Sequence, residues 1–215
     1  KGYSTQYALI NLIEKWRSHL DKSGIVGTIL LDPSKAFDCL PHDLLIAKLE
    51  AYGYGSDSIH LINNYLTNRK QRVKVGSQYS NWSSILKGVP QGSVLGPLLF
   101  NLYINDMLYF MKDSEVCNFA DDNTISVCDF SLNEVIRKLE DDLQRTLVWL
   151  DDNGLVANPK KFQFMILGIK GRHKLCLDVG GKTVKAAVSV KSVSYYTSDA
   201  ADDTPGLDLC GRRSI

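Results

Sequence analysis

The chain has 215 residues, 44% hydrophobic and 23% charged, enough for one sizeable core or two small domains. Its formal net charge of +1 excludes a global basic field, so any contact with nucleic acid has to come from a local patch. Five scattered cysteines (Cys39, Cys117, Cys128, Cys176, Cys210) include no CxxC pair and no Cys/His zinc spacing. They read as reduced thiols of an intracellular protein, with Cys39, Cys117 and Cys128 as small core residues. No apolar run is as long as a membrane span, no signal peptide opens the chain, and its first residue is Lys1 rather than Met. The expectation is a piece of a longer polypeptide with no membrane partner.

In chain order, Leu9, Leu12, Ile13, Trp16 and Leu20 fall at helical spacing, with Ser4 or Thr5 as cap and Gly24 as breaker. Ile25 to Leu31 is a nearly continuous apolar run, which predicts a strand buried on both faces, with Asp32 at its end and Pro33 stopping the ladder. A helix is expected from about Pro41 to Tyr52, ended by Gly53, and another from near Ser56, turning Ile59, Ile62, Tyr65 and Leu66 inward. Gln71 to Val75 alternates and, with a second run through Trp82 to Leu86 after Gly76, predicts a hairpin whose polar face presents Arg72 and Lys74.

Val89-Pro90-Gln91-Gly92 reads as a turn, and Val94 to Leu108 as a mostly apolar helix. Glu115 to Ala120 and Asn123 to Cys128 are short strands with the acid pair Asp121-Asp122 at their junction. Ser131 with Glu134 predicts a capping box that opens a helix with Val135, Ile136, Leu139, Leu143, Leu147 and Leu150 on one stripe, ended by Gly154. Phe162 to Leu167 and Lys174 to Val179 are further strands, and the pattern decays past about Ser192. The order of elements predicts an α+β fold with helices on one face of an antiparallel sheet.

Asp32, Asp121 and Asp122 all sit at the ends of predicted strands. Three such carboxylates suit a pair of divalent cations about 4 Å apart, and their mutual repulsion is relieved when a cation lies between them. Taken alone, however, Asp-Asp-Asn at a hairpin tip is also ordinary turn chemistry, and Ala201-Asp202-Asp203 repeats part of the string without flanking strands. Phe37 alone is a core aromatic after a strand. The cations Arg69, Lys70, Arg72 and Lys74 read equally as a solvated hairpin face or as a phosphate-contacting patch.

Four ordered blocks change the reading: Leu31-Asp32-Pro33-Ser34-Lys35-Ala36-Phe37-Asp38; Gly88-Val89-Pro90-Gln91-Gly92-Ser93 running on to Phe100; Phe119-Ala120-Asp121-Asp122; and Trp149-Leu150 followed by Asn153-Gly154-Leu155 and Asn158-Pro159-Lys160-Lys161. Together they resemble a reverse transcriptase, specifically that of LINE-type, non-LTR retrotransposons, over roughly Lys1 to Leu167. The resemblance implies a right-hand polymerase palm, an antiparallel sheet backed by helices, with partial fingers and a missing or degraded thumb. Residues 1–167 would be palm with partial fingers, 168–194 edge strands, and 195–215 a poorly ordered tail.

The resemblance also implies a set of roles. Asp32, Asp121 and Asp122 match the metal-binding triad for two Mg²⁺ (Mn²⁺ as substitute), and the Pro33 carbonyl a further ligand. Phe37 matches the aromatic that excludes a 2′-hydroxyl. Gln91 and Gly92 match the turn that touches incoming nucleotide and template, and Lys161 the lysine that protonates the leaving pyrophosphate, with Lys160 as a competing choice. The implied partners are an RNA template, a DNA primer, dNTPs and the remainder of a retrotransposon polyprotein, and the implied site of action is the nucleus. The implied activity is RNA-directed DNA polymerisation, with the 215-residue piece expected to be inactive alone. A remnant that only binds nucleic acid and a metal-dependent phosphohydrolase are the alternatives; the second has no use for Phe37 or the Gln91 turn. Pro33 departs from the family, which more often has a non-proline there.

Overall fold

The computed structural model describes residues 5–31, 36–119, 122–169 and 175–187. In chain order the elements are α1 (Thr5–Leu20), β1 (Ile25–Leu31), α2 (Ala36–Cys39), α3 (His42–Ala51), α4 (Ser56–Leu66), β2 (Lys70–Gln71), β3 (Lys74–Val75), β4 (Gln78–Tyr79), β5 (Ser83–Ser84) and α5 (Leu95–Ile104). A 3₁₀ helix (Asn105–Phe110) follows, then β6 (Glu115–Phe119), β7 (Asp122–Asp129), α6 (Leu132–Asp152), β8 (Gln163–Leu167), β9 (Cys176–Val179) and β10 (Lys182–Lys185). The chain divides into two units. The first holds residues up to Pro33, Tyr109–Val148 and the chain from Ala157; the second holds Ser34–Leu108 and Trp149–Val156. No described helix is long and apolar enough to cross a membrane.

The first unit is built on a four-stranded antiparallel sheet in the order β6-β7-β1-β8. β1 lies inside it, which explains its nearly continuous apolar run: Ile29 and Leu31 face one layer, Val26 and Leu30 the other. On the first face, Val135, Leu139 and Leu143 of α6 pack with Ile29, Leu31, Ile125, Val127 and Phe164, all buried. On the second, Leu12 and Trp16 of α1 pack with Val26, Leu30 and Met165. The expectation of helices on one face is therefore corrected: both faces are covered, as a central strand with apolar residues on both faces requires. Gly27 lets α6 approach closely, since a Cβ there would lie 2.5 Å from Val135 Cγ1.

Three local expectations are corrected as well. The Ser131 amide takes Asp129 Oδ1, while Glu134 turns to Arg137 at 2.8 Å, so the capping box gives way to an acid before the helix and an ion pair within it. Cys128 is exposed, because β7 outruns its partner there: the last β6 pairing is Glu115 with Ser126. The predicted helix to Leu108 stays α-helical only to Ile104 and tightens to 3₁₀. β10 was not anticipated, since in Thr183–Lys185 only Val184 is buried, yet Gly180-Gly181 (φ 56° and 80°) supplies the two left-handed residues a tight hairpin demands. The expected tail, 195–215, lies outside the described residues.

Asp142 ties the lead-in of β6 to α6. Its fully buried carboxylate accepts the amides of Lys112 (3.0 Å), Asp113 (2.9 Å) and Ser114 (2.7 Å). Burial pushes its pKa up, but the Lys112, Ser114 and Asp113 donors together outweigh it and hold the carboxyl below the usual range. A depressed folded-state pKa contributes stability above the unfolded value of about 3.9 and loses it as pH falls through the folded value. Asp142→Asn, with one carbonyl for three donors, is expected to cost about 2–4 kcal/mol at pH 7. The gap from wild type should narrow below about pH 4, as read by urea unfolding across pH.

The second unit packs α3 against α4 and α5. Lys48 of α3 is buried, and its ammonium donates to the Tyr103 carbonyl (3.0 Å) and Asp106 Oδ1 (2.7 Å) while standing 4.4 Å and 4.7 Å from the Tyr103 and Trp149 ring centres. Burial lowers its pKa, with Asp106 opposing. The Tyr103 hydroxyl donates to the Asn153 carbonyl at 2.6 Å, and burial above all pushes its pKa up. Trp149 and Asn153 of the fourth motif block thus serve here as buried structure.

Candidate active site

The sheet register sets the geometry of the first unit's contribution. Leu31 is opposite Asn123, Leu30 is opposite Gln163, and Phe119 is opposite Asp122. The C-terminal ends of β1 and β6 and the N-terminal ends of β7 and β8 therefore share one end of the sheet. Asp32 and Pro33 follow Leu31 in sequence, Asp121 precedes β7, and all three lie outside the described residues. Asp122 opens β7; its backbone is described and its side chain is not. Lys161 is exposed two residues before β8, at this same end, in a turn where its amide donates to the Asn158 carbonyl at 2.9 Å. Among the described residues no group of three or more His, Cys, Asp or Glu could hold a metal ion.

The second unit brings together parts of two motif blocks some 50 residues apart in sequence. α2 carries Phe37 and Asp38, and the 88–93 loop lies against it. The Val89 amide donates to the Phe37 carbonyl (2.8 Å) and the Gly88 amide to the Leu40 carbonyl (2.7 Å), while His42 Nε2 bonds the Gly88 carbonyl at 2.7 Å. The half-buried Phe37 ring rests on the buried Phe100, centroids 4.4 Å apart. Gln91 Nε2 donates to Asp38 Oδ1 at 2.8 Å; a carboxylate only accepts, so this contact fixes which end of the amide faces Asp38 and leaves the Gln91 carbonyl for another partner. Gly92 (φ 74°) has open space around it. Ser93 Oγ donates to the Pro90 carbonyl (2.6 Å) and accepts the Gly96 amide (3.0 Å), closing the turn into α5.

The hairpin forms, but in two short ladders. β2 pairs with β5 and β3 with β4, and Arg72 and Lys74 are exposed on it. Asp38, His42 and Ser93 are the positioning residues that motif reading passed over. Asp38 stood in the first block without a role, and only the tertiary contact with Gln91 gives it one.

Such a sheet, with the first and third motif blocks at strand ends and a glycine-bearing turn on a short helix, defines a polymerase-palm class of α+β fold. A family profile described as "Reverse transcriptase (RNA-dependent DNA polymerase)" matches residues 4–196, and the chain belongs to that family. It is 30% identical over 168 residues to a probable RNA-directed DNA polymerase from transposon BS of Drosophila melanogaster, covering 75% of this chain and 18% of that protein. To a Pol polyprotein from the type-1 retrotransposable element R2 of Popillia japonica it is 25% identical over 187 residues, 83% of this chain and 28% of that protein. The chain thus spans under a third of these relatives, which are non-LTR retrotransposon proteins, as the motif blocks imply. Among solved structures it is similar to apo telomerase from Candida tropicalis truncated from its C-terminal domain, with TM-score 0.61 and 16% identity over 86% of this chain and 39% of that one. At that identity the likeness shows the fold alone.

Proposed function

We propose that this chain is the palm with partial fingers of an RNA-directed DNA polymerase, which adds dNTPs to a DNA primer 3′-hydroxyl on an RNA template within a retrotransposon polyprotein. Residues 1–167 form the palm and partial fingers, and 168–194 the edge strands. Supporting this reading is the shared sheet end: β1 runs out toward Asp32 there, β6 and β7 are joined there through Asp121-Asp122, and Lys161 leads into β8 there. The donor set is all oxygen, which fits hard cations: Asp32, Asp121, Asp122 and the Pro33 carbonyl would hold two Mg²⁺, or Mn²⁺. When bound, such ions supply an activated 3′-hydroxyl and charge neutralisation at the leaving pyrophosphate.

The remaining roles belong to the chain's own side chains. Lys161 gives a proton to the leaving pyrophosphate oxygen. The Gln91 carbonyl, oriented by Asp38, and the open backbone at Gly92 accept the nucleotide and template. Phe37, buttressed by Phe100, fills the space of a 2′-hydroxyl. Phe37→Val is expected to raise ribonucleotide use relative to dNTP by about 10–100-fold, read as the ratio of kcat/KM values. The deciding experiment is primer extension on an RNA template with Mg²⁺ or Mn²⁺, using the chain and the chain extended by its flanking coding sequence. Absence of templated extension from the extended protein, with either ion, sinks the reading.

A further inference from the structure

The hairpin carries more than a pair of cations. Val73 exchanges hydrogen bonds with Ser80, its amide donating to Ser80 Oγ and its carbonyl accepting the Ser80 amide, both at 2.9 Å. Gln71 pairs with Ser83. Between these two pairs, Arg72 alone is opposed by two residues, Asn81 and Trp82, which is a β-bulge. Without it, the alternation from Tyr79 would turn Trp82 to the opposite face. With it, Tyr79 and Trp82 share a face, and the Arg72 guanidinium lies over both rings, 4.0 Å and 4.6 Å from their centres. Lys74, paired directly across from Tyr79, puts its ammonium 5.4 Å from that same ring.

This row is costly to leave bare. Tyr79 is 50% and Trp82 60% exposed, whereas the other two tryptophans, Trp16 and Trp149, are buried. The charge is lopsided too: between Asp57 and Asp106 the sequence holds five cations (Arg69, Lys70, Arg72, Lys74, Lys87) and no Asp or Glu. A ligand that satisfies both features offers negative charge at regular spacing and flat apolar faces. Single-stranded nucleic acid does; a duplex keeps its base faces stacked inside and offers phosphates alone. We infer that Tyr79, Arg72, Trp82 and Lys74 form a stacking platform for single-stranded nucleic acid on this hairpin. The inference deepens the polymerase reading and rests on it for the source of the strand, but not for the binding itself. Bases stack on the two rings, while the guanidinium edge and the Lys74 ammonium meet phosphates.

Trp82 is also the reporter. Titrating the 215-residue chain with a 12-mer of oligo(U), and separately of oligo(dT), should quench tryptophan emission, and the quench should vanish in Trp82→Ala. Binding by fluorescence anisotropy should weaken about tenfold or more for each of Tyr79→Ala and Trp82→Ala, while Tyr79→Phe and Trp82→Phe, which keep a ring, bind nearly as wild type. The ring variants should leave the salt slope unchanged, and Arg72→Gln with Lys74→Gln should reduce it by about 1.4. Equal affinity for a blunt duplex, or wild-type affinity in the two alanine variants, overturns the platform. The same titrations on the Asp121→Asn, Asp122→Asn chain separate the two readings. If the extended protein fails to polymerise yet the ring variants still lose binding, the polymerase reading falls and the platform stands. If extension proceeds and the ring variants bind normally, the reverse holds.

Discussion

Asp121→Asn with Asp122→Asn should lower primer extension by at least about a thousandfold while leaving the fold intact. The argument runs through charge. Each Asp→Asn change keeps size and one acceptor oxygen but removes the negative charge that balances a divalent cation, so the site loses its hold on metal and the 3′-hydroxyl loses its activation. In the absence of metal, two adjacent carboxylates repel each other, so the double variant should be at least as stable as wild type. Two measurements check this together: extension on RNA template over a range of Mn²⁺, and urea unfolding with Mg²⁺ and without it. Wild type should gain stability with added Mg²⁺ and the variant should not. Extension at the wild-type rate in the variant would remove the acids from the chemistry altogether.

How much of this was legible in the sequence depends on the range over which each interaction acts. β1 could be read because a strand buried on both faces writes a nearly continuous apolar run, and Ile25–Leu31 does so with Thr28 as its one polar residue. α6 could be read because its apolar stripe recurs at helical spacing from Val135 to Leu150 along a helix of 21 residues. What was missed is what local pattern does not encode. The second helical layer, α1 over Val26 and Leu30, depends on which way the chain turns after Leu20. The Ser131–Glu134 signal was a real local option that lost to Asp129, which accepts the Ser131 amide, and to Arg137, which pairs with Glu134. The bulge opposite Arg72 is a one-residue count between two strands, invisible to a period-two reading yet decisive for where Trp82 points. The site divides in the same manner. Motif order named its residues, but the Gln91–Asp38 contact exists only once α2 and the loop meet.

Gly88 and Gly92 offer the second large effect, because they share a backbone conformation and differ in surroundings. Both are left-handed, at φ 84° and 74°. Alanine at Gly92 meets nothing within 4 Å, so Gly92→Ala should cost only the backbone term, about 1 kcal/mol. Alanine at Gly88 would put its Cβ 2.7 Å from the Asp38 Cα and carbonyl oxygen, which are backbone atoms and cannot rotate away. Nor can the loop slide, since the Gly88 amide is bonded to Leu40 and its carbonyl to His42, each at 2.7 Å. The strain and the overpacking add, and Gly88→Ala should cost about 3 kcal/mol or more in urea unfolding. The relief available to the variant is to lift the loop off α2, which separates Gln91 from Asp38 and releases the Phe37 carbonyl from Val89. Gly88→Ala should therefore also raise the KM for dNTP, where an equally destabilising substitution in the other unit, Asp142→Asn, should leave it unchanged. Equal unfolding costs for the two glycine variants would show that the contact between the loop and α2 is looser than these distances require.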